Sequence, residues 1–124
     1  MCVGSKDREP ANRRKVVLVV DDEPMVRMLA ADLFEEMGCE VIEASNGPEA
    51  LVRLEERPDV SLMFTDCRMP GMSGPELAEA ATERWPHLRI VLVTGYQNMQ
   101  APGWPIVWKP FDARTIKRVV GDQS

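Results

Sequence analysis

Apolar residues along the chain follow two rhythms: short continuous runs, and longer stretches where they recur every three or four positions. Val16–Val20 is a continuous β-branched run, the pattern of a parallel strand covered on both faces. After Asp21-Asp22-Glu23, Pro24 is suited to the first turn of a helix, in which Val26, Leu29, Ala30, Leu33 and Met37 share one face. On the same pattern Met25, Met28 and Met37 are expected to be core residues. Gly38 closes this helix as a C′ residue. A second strand spans Glu40–Ala44, and Ser45-Asn46-Gly47-Pro48 supplies turn and cap chemistry for a helix burying Ala50, Leu51 and Leu54. Arg57-Pro58 stops that helix.

The apolar run Val60–Phe64 is too short for a helix and reads as a buried strand ending in Thr65-Asp66. Pro70, Gly71, Ser73 and Gly74 mark a loop, and Gly74-Pro75 opens a third helix (Leu77, Ala80, Ala81) that stops at Trp85-Pro86. Arg89–Val93 is a fourth strand ending in Thr94-Gly95, and Ile106–Trp108 a fifth ending in Lys109-Pro110-Phe111. Ala113 to Val120 is a short helix with Ile116, Val119 and Val120 on one face, closed by Gly121. Strands alternating with helical patterns predict βαβ units and an α/β fold, a five-stranded parallel sheet wrapped by helices.

With 124 residues the chain suits one domain and one core. Residues 15–121 are expected to form it, after a polar, aperiodic and disordered lead-in over 1–14. The Arg13-Arg14-Lys15 cluster reads as the solvated edge of the first strand. A net charge of −5, with no basic stripe or zinc pattern, argues against nucleic acid as a partner. No apolar stretch approaches the ~20 residues of a membrane span. Three scattered cysteines, Cys2, Cys39 and Cys67, suit reduced thiols in a cytoplasmic protein. Cys67 reads as a packing residue beside Asp66, and His87, the one histidine, as a loop residue that ligates nothing.

The polar residues that end the strands make a coherent set: Asp21 and Asp22, Asp66, Thr94 and Lys109. In a parallel sheet these ends lie on one rim, where ligands bind. Two like charges ~4 Å apart cost ~4 kcal/mol at an effective dielectric of about 20. Lys109 alone does not neutralise three carboxylates, so a divalent cation is the natural occupant. All-oxygen ligands point to Mg²⁺ or Ca²⁺ over zinc, and the few carboxylates without a calcium loop favour Mg²⁺. Such a site beside a hydroxyl and a lysine suits phosphoryl chemistry, with Asp66 as the nucleophile.

Asp21-Asp22 after an apolar strand, Thr65-Asp66-x-x-Met69-Pro70-Gly71-Met72-Ser73-Gly74, Thr94-Gly95 and Lys109-Pro110-Phe111, in this order, resemble a response-regulator receiver domain. The resemblance runs from about residue 15 to 120 and implies a single, CheY-like, flavodoxin-like domain with strand order 2-1-3-4-5. It implies that Asp66 takes a phosphoryl group from a sensor histidine kinase or a histidine phosphotransfer protein, and then acts as a phosphate sink or relay or switches contacts with an unidentified downstream protein. Apart from self-phosphorylation and slow autodephosphorylation, no enzymatic activity is expected. It further implies that Asp22 binds Mg²⁺ directly, Asp21 through water, and that Asp66 and the backbone carbonyl of Arg68 complete the protein ligands. Thr94 would hydrogen-bond the phosphoryl group, Lys109 would pair with it, and the Lys109–Pro110 bond would be cis.

Two departures from the family pattern stand out. Thr94 and Lys109 are 15 positions apart (109 − 94), too few for a normal helix with its loops, so the family's fourth helix is expected to be truncated or absent. The family's switch position, three before the lysine, usually holds Tyr or Phe and here holds Ile106; Tyr96 or Trp104 could substitute. With two prolines and few helix formers, the stretch from Gly95 to Pro105 reads as the element of lowest stability, ordered on phosphorylation. Two other classes use similar residues. A haloacid-dehalogenase-type phosphatase needs Asp-x-Asp, but the second residue after Asp66 is Arg68. A flavodoxin-like FMN binder needs a phosphate loop where Asp21-Asp22-Glu23 would repel phosphate.

Overall fold

The computed structural model describes residues 15–95 and 103–121. The elements run β1 (Val16–Val20), α1 (Pro24–Glu36), β2 (Glu40–Ala44), α2 (Gly47–Glu56), β3 (Leu62–Asp66), α3 (Gly74–Arg84), β4 (Arg89–Thr94), β5 (Ile106–Trp108) and α4 (Ala113–Gly121). The sheet order is β2-β1-β3-β4-β5, and every pairing is parallel. This is a doubly wound α/β fold: the alternation of patterns predicts its parallel sheet wrapped by helices, and the resemblance implies its strand order. Between β4 and β5, residues 95 and 103–105 form no helix, and residues 96–102, Tyr96 among them, lie outside the described residues. The expected lead-in over 1–14 lies outside them too.

Because successive strand residues point to opposite faces, the β-branched runs feed two cores at once. Val16, Leu18, Val20, Met63 and Leu92 pack on one face with Leu54 of α2 and Leu77 and Ala81 of α3. Val17, Val19, Phe64, Val91 and Val93 pack on the other with Phe34 of α1 and Ile116 and Val119 of α4. Phe64 stands at the centre of that second layer, edge-on to Phe34 at 5.1 Å and to Phe111 at 5.5 Å between ring centroids. Trp104, Trp85 and Ile106 lie against the first core, so Trp104 and Ile106 cover part of the sheet next to the short β4–β5 connection.

The helix ends follow their sequence signals. At the end of α1, Gly38 takes φ +87°, the Gly38 N–H donates to Glu35 O, and the Cys39 N–H donates to Phe34 O, a Schellman stop. Asn46 caps α2 by accepting from the Glu49 N–H at 2.8 Å, and Ser73 caps α3 by accepting from the Glu76 N–H while its own N–H donates to the Glu76 carboxylate. At the other end of the sheet, Lys15 Nζ and Arg89 Nη1 donate to the Val120 and Val119 carbonyls in the last turn of α4. Lys15 is therefore a half-buried tie and not a solvated edge residue. Arg13 and Arg14 lie outside the described residues.

The inward face of α1 differs from the expected one in part: Ala30 is buried and Val26, Leu33 and Met37 pack against the second core as expected. Met25 and Met28 are 80% and 55% exposed and Leu29 is 48% exposed, while Ala30, Ala31 and Phe34 are buried. One large ring, Phe34, reaches the sheet beside the small Ala30 and Ala31, and Met25 and Met28, but not Met37, face outward. In α3, likewise, Ala78 is buried while Ala80 is only partly covered.

Candidate functional site

The strand ends converge at the carboxyl rim of the sheet. β1 delivers Asp21 and Asp22, and β3, its hydrogen-bonded neighbour, delivers Asp66. One carboxylate oxygen from each of the three lies within 4.8 Å of the others. Asp21 and Asp66 are buried and Asp22 is exposed. An Asx turn holds Asp21, whose Oδ1 accepts the Glu23 N–H at 2.9 Å. These acids are therefore not helix caps: Glu23 is the N-cap residue of α1, and its side chain makes no capping bond.

Lys109 enters from the end of β5. Its Nζ lies 3.1 Å from Asp66 Oδ1 and 3.6 Å from Asp21 Oδ2, a half-buried cation between two buried carboxylates. The Lys109 N–H donates to Thr94 O at 2.8 Å, so the Lys109 and Thr94 backbones meet across the β4–β5 ends. The peptide from Lys109 to Pro110 is cis, as the resemblance implies. Thr94 is buried, and Arg68 is exposed on the rim. Asp22, Glu23, Asp66, Arg68, Gly95 and Lys109 line a pocket of about 460 Å³. His87 is exposed and does not line it.

The electrostatics are those of an incompletely neutralised acid cluster. Burial raises both Asp66 and Asp21 above the ordinary value of 3.8, against the lowering effects of Lys109 and, for Asp21, of the Glu23 N–H. For Lys109, burial acts against the charge. The hydrogen bond and charge of Asp66, with the charge of Asp21, outweigh it and leave the ammonium above its usual range. Cys67, buried behind the site, is pushed up to about 11 by burial and by the Asp66 charge, so it is a packed thiol and not a thiolate. Three hard oxygen donors on one rim with a single lysine fit a divalent oxygen-seeking cation.

Gly74 is what lets α3 start so close to this rim. A Cβ there would lie 2.8 Å from Cys67 Cα and closer still to the Asp66 carbonyl oxygen. The Gly74 N–H donates to Cys67 O at 2.9 Å. The apposition seats the first turn of α3 directly on the backbone after the nucleophile candidate.

The response regulator receiver domain family matches residues 17–120. This chain belongs to that family. The receiver is 43% identical over 110 residues to the response regulator receiver protein CpdR of Brucella abortus, covering 83% of this chain and 90% of that protein. It is 30% identical over 112 residues to sporulation initiation phosphotransferase F of Bacillus subtilis, covering 84% and 89%. Among solved structures it resembles the response regulator TrrA of Thermotoga maritima in complex with Mg²⁺-BeF. The identity is 32% and the TM-score 0.81, with 89% of this chain and 99% of that one covered. The receiver is thus a signalling protein of two-component systems, which sets aside the phosphatase and FMN-binding alternatives. No helix among the described residues is long and apolar enough to cross a membrane.

One residue at the rim escaped the sequence reading. Arg27 of α1 donates through Nη1 to Asp21 O at 2.8 Å and through Nε to Glu43 Oε1 at 3.0 Å. No sequence motif singles it out. No local pattern reports a bond back to the carbonyl of a preceding loop.

Proposed function

We propose that Asp66 is the phosphoacceptor of this receiver and that Mg²⁺ is the cation of its acid cluster. The observation that carries this reading is the convergence of Asp21, Asp22 and Asp66 within 4.8 Å, with Lys109 3.1 Å from Asp66. An Asp66 carboxylate oxygen attacks the phosphorus of a phosphohistidine on a sensor kinase or phosphotransfer protein. The O–P bond forms, the N–P bond breaks, and the imidazole leaves with the electron pair. Asp21, Asp22, Asp66 and the Arg68 carbonyl would hold Mg²⁺, which when bound supplies positive charge to the phosphoryl oxygens. Lys109 holds the Asp66 carboxylate in place and accompanies the new charge, while the Thr94 hydroxyl donates to a phosphoryl oxygen. The chemistry is self-phosphorylation and slow self-dephosphorylation, and phosphorylated Asp66 then acts as a phosphate sink or relay or switches contacts with a downstream protein in the cytoplasm.

The test is phosphorylation by acetyl phosphate, followed by intact mass and peptide mapping. The phosphoryl group is expected on Asp66 alone and only with Mg²⁺ present. A mapped site elsewhere, or labelling undiminished by EDTA, overturns the reading. Asp22→Ala is expected to weaken Mg²⁺ binding by at least about tenfold, since losing even a group that merely orients a ligand costs that much. Calorimetric titration of Mg²⁺ into the variant checks it.

A further inference from the structure

We propose that Arg27 is a positioning residue for the acid cluster, setting Mg²⁺ affinity through its bond to the Asp21 carbonyl. The inference rests on reading the cluster as a Mg²⁺ site. Of the three acids, Asp21 and Asp66 are buried, and both are held by other groups: Asp21 by the Glu23 N–H and Asp66 by Lys109. Asp22 is exposed, so its placement depends on the backbone that carries it.

That backbone is fixed from both sides. The Asp21 N–H donates to Ala44 O at 3.2 Å, and the Asp21 carbonyl accepts from Arg27 Nη1 at 2.8 Å. The carbonyl lies in the planar peptide that joins Asp21 to Asp22. A charged donor on this oxygen therefore sets the orientation of the peptide and the direction from which the Asp22 side chain departs.

The guanidinium is itself held by Glu43, and this second contact separates the positioning role from a merely structural one. The Arg27–Glu43 ion pair ties α1 to β2 with Arg27 19% and Glu43 43% exposed. Either Arg27→Ala or Glu43→Ala removes that tie. Only Arg27→Ala also removes the donor to Asp21 O. If Arg27 acted only by tying helix to strand, the two variants would behave alike.

The experiment is calorimetric titration of Mg²⁺ into the full chain and both variants, with unfolding midpoints recorded in EDTA. Arg27→Ala is expected to lower Mg²⁺ affinity roughly 10- to 100-fold, the range for removing a group that orients a metal ligand. Glu43→Ala is expected to lower it less than about fivefold, the scale of an exposed ion pair. If Arg27→Ala does not fold, Arg27→Lys, which cannot bridge both acceptors, carries the comparison and is expected to lose more affinity than Glu43→Ala. Equal losses in the Arg27 and Glu43 variants, or Mg²⁺ affinity unchanged in Arg27→Ala, overturn the inference while leaving the Mg²⁺ site standing. A wild-type chain that binds no Mg²⁺ overturns the site and the inference together.

Discussion

Asp66→Asn is expected to reduce phosphorylation to background and, without Mg²⁺, to make the protein more stable than the wild type. Loss of phosphorylation follows from loss of the nucleophile. The gain in stability follows from the charge distribution. Burial raises the Asp66 carboxyl in the folded protein, with the Asp21 and Asp22 charges adding to the effect and Lys109 opposing it. A carboxyl raised on folding binds more protons in the folded than in the unfolded state, so its contribution falls as pH rises through the folded value. The penalty is fully present above that value and vanishes below the ordinary 3.8 of the unfolded chain. Neutral Asn removes it, and Lys109 keeps Asp21 as a partner at 3.6 Å. The expected gain is on the order of 1 kcal/mol, a few degrees in the unfolding midpoint at neutral pH and low ionic strength. Thermal unfolding in EDTA, at neutral pH and again near pH 4, reads it out. The advantage of Asp66→Asn should shrink at the lower pH, and a midpoint below wild type at neutral pH would falsify this account of the cluster.

Gly74→Ala is the second substitution with a large expected effect, although Gly74 carries no chemistry. The added methyl would lie 2.8 Å from Cys67 Cα and nearer to the Asp66 carbonyl, and neither backbone atom can move aside as a side-chain tip could. Either α3 withdraws or the end of β3 shifts. Overpacking of this kind costs ~1–3 kcal/mol. Displacing a reacting group by ~1 Å can cost on the order of a hundredfold in rate. The variant is expected to unfold at lower urea concentration and, where it remains folded, to take phosphate from acetyl phosphate at least about tenfold more slowly. Gly121→Ala is the control, because a Cβ there meets nothing within 4 Å. Equal urea midpoints and equal phosphorylation rates for wild type and Gly74→Ala would show that the α3–β3 apposition is looser than the geometry indicates.

The strands and the acid cluster were legible in the sequence for the same reason. A strand buried on both faces is mostly apolar, so Val16–Val20 and the run before Thr65-Asp66 declare themselves locally, and the acids that follow each run mark the rim. Parallel pairing puts the three acids on one rim, and the adjacency of β1 and β3, which the family resemblance implied, brings them together. The stop at Gly38 and the cap at Asn46 were readable too, since capping involves groups within a few residues of each other, whereas Ser73, which caps α3, read only as a loop residue.

Contacts that cross the chain were not readable. Periodicity places Met25, Met28 and Leu29 near the apolar stripe of α1, but the packing of Phe34 on Phe64 leaves those three outside. Lys15 and Arg89 reach the end of α4 across 105 and 30 residues, distances over which composition carries no signal. Gly74 reads in sequence as a turn residue, and only the approach of α3 to Asp66 shows that a side chain there has no room. Arg27 differs from any exposed helix arginine only by the carbonyl it meets. The chain alone therefore determined which residues lie at the rim, because burial and capping are local. The tertiary structure decided how those residues are held, because a backbone carbonyl or a neighbouring helix is a partner of no particular sequence.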